Sequence, residues 1–208
     1  MKNRSIPLAA VWWPAVVPTL MLVQLLVTPT DAGSLNADLL EAAERGRVEL
    51  TKSLLTRGAD ANVRGKIGLT PLMLAAWGGH ARVVELHLRR GAHLQASADG
   101  RTALHLAAER GLSHVVRLLL DKGADVHWQT HSGRTALIEA AERGHLKIVT
   151  LLEEHGANYT LGAAARVGDL SRVQLLLREG ADLDALHSGL TPLMHACLGG
   201  RGKVVRLL

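Results

Sequence analysis

The phrase Gly-Arg-Thr-Ala-Leu at residues 100–104 returns at residues 133–137, and the alanine pair that follows it recurs along most of the chain. Aligned on the first alanine of each pair, the copies fall at Ala42, Ala75, Ala107, Ala140, Ala164 and Ala196, in steps of 33, 32, 33, 24 and 32 residues. A period near 33 residues restricts the chain to a stack of similar units, because one such unit is too small to bury both faces of its own helices.

Each unit repeats one local grammar. Thr70, Thr102, Thr135 and Thr191 stand where a helix opens and serve as N-caps, with Pro71 and Pro192 following at a position where a missing N–H is harmless. Gly79, Gly111, Gly144, Gly168 and Gly200 end this first helix in the left-handed conformation. A second helix with apolar residues at helical spacing follows and stops at Gly91, Gly123, Gly156 and Gly180. About ten residues of turn and extended chain then lead to the next threonine, so the unit reads as helix, turn, helix, projecting hairpin.

Composition agrees with such an array. The 208 residues contain no Phe, four Trp and one Tyr, which leaves Leu, Val and Ala to build the interior. The formal charge is +5, a modest basic excess that favours anionic partners. Cys197 is alone, so no internal disulfide forms, and it fills a position taken by alanine in other units, which marks it as a packing residue.

Residues 1–32 differ from everything after them. Lys2 and Arg4 precede an apolar run ending at Val27, Pro14 and Pro18 interrupt that run, and Thr30, Asp31 and Ala32 supply small residues before a cut after Ala32. The pattern is that of a signal peptide, and the mature chain is expected to start at Gly33 and to be exported, periplasmic or secreted. An uncleaved membrane anchor is the alternative, and a cytosolic protein with a misassigned start is the third reading.

The segments "TALHLA" at residues 102–107 and "TPLMLA" at residues 70–75, at this period, resemble the ankyrin repeat. The resemblance covers roughly residues 36–208 and implies an all-α solenoid of stacked helix-turn-helix units with projecting β-hairpin loops, assigned here to residues 33–208 in about six units. The first unit lacks the Thr-Pro opening, carries Thr51 and Ser53 in its second helix and is expected to be a cap with a more polar outer face. The fifth is nine residues short, so its hairpin should be missing. The last ends at Leu208, which leaves Val204, Val205, Leu207 and Leu208 as candidates for an exposed apolar edge.

Catalysis finds no support. The chain holds no phosphate loop of the Gly-x4-Gly-Lys-Ser/Thr type, and His127 with His131 lacks a nearby third ligand, so neither a metal nor another cofactor is expected. The resemblance implies instead a non-enzymatic scaffold that binds another protein through a concave face of hairpin tips and first helices. The residues it places there include Lys66, Leu69, Trp77, Arg101, Arg110, Arg134, Arg143 and Arg166. Their arginines are expected to align into a short cationic ladder suited to an acidic partner surface. The competing expectation is that each arginine is only a soluble helix end. A membrane-tethered adaptor and a polyanion- or nucleic-acid-binding module are the other readings; membrane contact depends on retaining residues 1–32, and nucleic acid is disfavoured because base stacking needs aromatics that this surface lacks.

Overall fold

The computed structural model describes residues 32–186 and 189–208. Residues 1–31, nearly all of the stretch read as a leader, lie outside the described residues.

Six helix pairs follow in order: α1 (Ala32–Glu44) with α2 (Val48–Thr56), α3 (Pro71–Gly78) with α4 (Ala81–Arg89), and α5 (Ala103–Glu109) with α6 (Ser113–Asp121). Then come α7 (Ala136–Glu142) with α8 (Leu146–Glu154), α9 (Leu161–Val167) with α10 (Leu170–Arg178), and α11 (Pro192–Leu198) with α12 (Gly202–Val205). First helices pack on the first helices of neighbouring units throughout, and second helices stack likewise from α2 to α8 and from α10 to α12. This is the expected all-α solenoid.

Local chemistry sets the helix ends. The Thr70, Thr135 and Thr191 hydroxyls accept from the backbone N–H three residues on at 3.3, 3.4 and 3.3 Å, each cap contributing about 1 kcal/mol. Thr102 forms a reciprocal box with His105, whose Nδ1 also receives the Thr102 N–H at 3.4 Å. Thr160, which the sequence reading passed over, caps α9 through the Ala163 N–H at 3.2 Å. The glycines expected to end the first helices all have positive φ, from 65° at Gly200 to 88° at Gly168.

Small side chains allow close stacking. The alanine pairs at 42–43, 75–76 and 107–108 are fully buried, between layers of leucine, valine and isoleucine. A repeated side chain ties unit to unit: five residues after the aligned alanine, His80, His145 and Arg201 donate to the carbonyls of Glu44, Glu109 and Arg166 at 3.0, 3.0 and 3.1 Å. Those carbonyls end the preceding first helix and lack a helical partner, so each bond satisfies an orphan acceptor.

The hairpin between α4 and α5 pairs β1 (Ser97–Ala98) with β2 (Arg101–Thr102) in antiparallel register, Ser97 opposite Thr102. Its two-residue tip has φ of 52° at Asp99 and 75° at Gly100, the sign pattern of a type I′ turn. Residues 155–160 connect α8 directly to α9, with no hairpin between them. Tyr159 instead fills this short connection: it is buried, its hydroxyl donates to Asp169 at 3.4 Å, and the Arg172 guanidinium lies 5.1 Å from its ring centre.

Three expectations need correction. Thr51 does not belong to a polar outer face; it is fully buried on the inner side of α2, because it occupies the register filled by Val84, Val116 and Val149 in later units. Val204 is buried and Val205 and Leu208 are partly so against the core, leaving Leu207 as the exposed member of that set. Exposure falls instead on Leu193, Met194 and Leu198 of α11. Cys197 is exposed rather than packed, since no further described unit covers α11 as the units after α3, α5 and α7 cover their alanines.

Candidate functional site

First helices and hairpins together form one face of the array, and its chemistry changes along its length. At the end nearer α1, Ile67, Leu69, Leu74, Trp77, Ala98 and Leu106 enclose a groove of about 430 Å³ with Glu44, Asp99 and Arg101 at its rim. Ile67 is 79 % exposed and Trp77 37 %, large values for apolar side chains on adjacent elements. The Arg110 guanidinium stacks over the Trp77 ring, 4.8 Å from its centre, and steadies its orientation.

Farther along, the face is ionic. Arg101 pairs with Glu109 and approaches Glu139 at 3.9 Å, while Arg143 reaches Glu109 from the next unit at 2.5 Å. Arg134 grips Glu139 at 2.9 and 3.0 Å and also binds Glu142, and Arg166 approaches Glu142 at 3.8 Å. Burial alone would raise the Glu109 carboxyl, but hydrogen bonds and charge from Arg101 and Arg143 outweigh it and hold it below the usual carboxylate range. Arg134 is held still more firmly cationic by Glu139 and Glu142.

The arginines do align, but not as a free cationic ladder. Stacking brings Glu109 and Glu142, two of the three glutamates of the Ala-Ala-Glu-Arg-Gly phrase at residues 42–46, 107–111 and 140–144, toward arginines of the hairpin and the next unit rather than toward the arginine that follows each in sequence; Glu44 enters no ion pair among the described residues. Arg101, Arg134, Arg143 and Arg166 are therefore each paired within the chain, sharing the three carboxylates of Glu109, Glu139 and Glu142, and Arg110 faces Trp77. Of the expected binding residues, Leu69, Trp77 and Arg101 meet at the groove; Lys66 is exposed beside Ile67 but does not line it. Trp128 bridges hairpins, its indole N–H donating to the Gly100 carbonyl at 3.0 Å.

The sequence reading missed Glu44, Leu74, Ala98, Asp99 and Leu106 as groove residues. A register comparison holds the signal: the position before the alanine pair is apolar at Leu74 and Leu106 but acidic at Glu139, which marks where the groove gives way to the ion network.

Other polar groups serve the fold. His105 is buried with its Nε2 bonded to the Arg134 carbonyl at 3.2 Å, and burial lowers its pKa. His87 is fully buried with neither ring nitrogen hydrogen-bonded, and burial lowers its pKa to about 4. Among the described residues no group of three or more His, Cys, Asp or Glu converges on a metal position, and no helix is long and apolar enough to cross a membrane.

The family model for ankyrin repeats in three copies matches residues 20–97, 39–130 and 83–163. The chain belongs to the ankyrin-repeat family. The first match begins within the stretch read as a leader. Ankyrin repeat and KH domain-containing protein mask-1 of Caenorhabditis elegans is 34 % identical over 177 residues, covering 83 % of this chain and 6 % of that protein. A probable E3 ubiquitin-protein ligase of Oryza sativa subsp. japonica, XBOS33, is 44 % identical over 90 residues, 42 % of this chain and 17 % of that protein. Ankyrin repeat and KH domain-containing protein 1 of Homo sapiens is 40 % identical over 94 residues, 44 % of this chain and 4 % of that protein. This ankyrin-repeat chain thus spans a small fraction of the length of the relatives it matches.

Proposed function

We propose that this ankyrin-repeat array is a non-enzymatic scaffold that holds another protein on the face made by its first helices and hairpins, centred on the groove at Trp77. The observation that carries the reading is the joint exposure of Ile67 and Trp77 over an apolar groove, with the Trp77 ring held in place by Arg110. An anchored, half-exposed tryptophan suits a binding hot spot, because its large apolar area is presented at little further cost in side-chain freedom. The ion network beyond it pairs its arginines with glutamates of the chain, so it presents less free charge than the arginines alone would. Export, with a membrane-tethered form as the alternative, is part of the proposal and rests on the sequence of residues 1–32 alone; intact mass of the protein from its native source tests it, and full-length chain in the soluble cytosol would refute it.

The docking face is tested by recovering the partner with the wild-type array and comparing Trp77→Ala with the Arg110→Ala/Arg143→Ala double variant. Trp77→Ala should lower affinity at least about tenfold through faster dissociation. The double variant should leave the thermal midpoint nearly unchanged, since single exposed charges contribute about 0 to 1 kcal/mol. Equal binding by all three proteins would place the site elsewhere.

A further inference from the structure

We propose that the groove at Trp77 selects a partner segment carrying an apolar anchor side chain next to a lysine or arginine. The inference rests on the docking reading above and adds the partner's charge, which the structure opposes to the acidic partner suggested by the arginines in the sequence.

The groove's volume, about 430 Å³, lies in the range of sites that take a large side chain with its flanking backbone. Its apolar lining specifies the anchor, and three charged residues at the rim specify the flanks. Arg101 is already ion-paired with Glu109 and lies 3.9 Å from Glu139, so its charge is balanced within the chain, and its Nε, which has no acceptor among the described residues, is buried. The two rim carboxylates are differently placed. Glu44 is exposed and its carboxylate enters none of the ion pairs among the described residues; His80 uses its backbone carbonyl only. Asp99 has a side chain 94 % exposed, held at the tip of the β1–β2 turn, and its one ionic contact among the described residues is His131 at 3.4 Å, an imidazole that carries charge only when protonated. Glu44 and Asp99 therefore stand on different elements beside one apolar groove, and among the described residues no guanidinium or ammonium pairs with either.

Nearby cations are otherwise engaged or displaced. Arg64 donates to the Gly68 and Ser97 carbonyls at 3.1 and 2.8 Å, Arg110 covers the Trp77 ring, and Lys66 does not line the groove. A basic side chain beside the anchor would meet opposite charge at the rim, which raises association rate and discriminates against an acidic segment.

Three fluorescein-labelled Gly/Ser peptides test this, each with a central phenylalanine flanked by arginine, serine or glutamate, titrated against the full chain by anisotropy at low and high salt. The arginine peptide should bind about tenfold tighter than the serine peptide, with the advantage reduced by salt. Glu44→Gln with Asp99→Asn should remove that advantage without moving the thermal midpoint, and Trp77→Ala should weaken all three peptides. Arginine-peptide binding indifferent to the double variant would overturn the proposal. Tighter binding of the glutamate peptide, lost on Arg110→Ala, would overturn the charge assignment and leave the docking reading standing. Peptide binding that ignores Trp77→Ala, together with a native partner that also ignores it, would overturn both.

Discussion

His87 makes the stability of this ankyrin array depend on acidity in a way that one substitution should remove. It occupies the register of Leu54, Leu119 and Leu152, all essentially fully buried, and neither of its ring nitrogens has a hydrogen-bond partner. Burial without a compensating acceptor penalises the imidazolium and lowers the pKa from 6.5 to about 4. The unfolded chain, with the higher pKa, binds the extra proton first, so stability is complete above pH 6.5 and falls as pH drops toward 4. At 1.36 kcal/mol per pH unit, the loss attributable to His87 is about 2 kcal/mol at pH 5 and about 3 kcal/mol at the lower limit.

His87→Leu should abolish this component. It should also stabilise the array at pH 7, by about 1 to 3 kcal/mol, because two unpaired polar atoms leave the core for an apolar side chain that fits the register. The assay is urea unfolding of wild type and variant at pH 7 and at pH 5. The stability gap between them should widen by about 2 kcal/mol at the lower pH. His105 and Glu109, also shifted downward, contribute acid sensitivity to both proteins and cancel in the difference. An unchanged gap would refute the reasoning and would mean that the His87 ring finds a proton acceptor or solvent when it charges.

The ion network should be energetically uneven. Arg134→Ala strands the largely buried Glu139 and should cost about 3 kcal/mol in chemical denaturation, whereas Arg143→Ala, with a side chain 60 % exposed, should cost less than about 1 kcal/mol. Gly100→Ala would place a Cβ 2.7 Å from the His131 backbone nitrogen at φ 75°, so it should destabilise by about 2 kcal/mol and raise amide exchange in the hairpins that precede α5 and α7. His145→Ala removes the donor to the Glu109 carbonyl and should cost about 1 kcal/mol, with faster exchange at the junction of α5 and α7.

Period, most helix ends and the short connection between α8 and α9 were legible in the residues, because each depends on interactions spanning a few positions. A threonine caps the helix that starts beside it, a glycine takes positive φ wherever the chain must turn, and a shortfall of nine residues removes a hairpin in any surroundings. The charges behaved differently. Glu109 and Arg110 are neighbours in sequence, yet Glu109 pairs with Arg101 and Arg143 while Arg110 settles on Trp77, thirty-three positions away. Consecutive residues on a helix do not face one another, so their partners were decided by the offset between stacked units. The same offset buried Thr51 and assembled the groove from α1, α3, α5 and two hairpins. Local sequence determined what each unit is, and only stacking decided which atoms of different units meet, because pair interactions between distant residues depend on a relative placement that no single unit encodes.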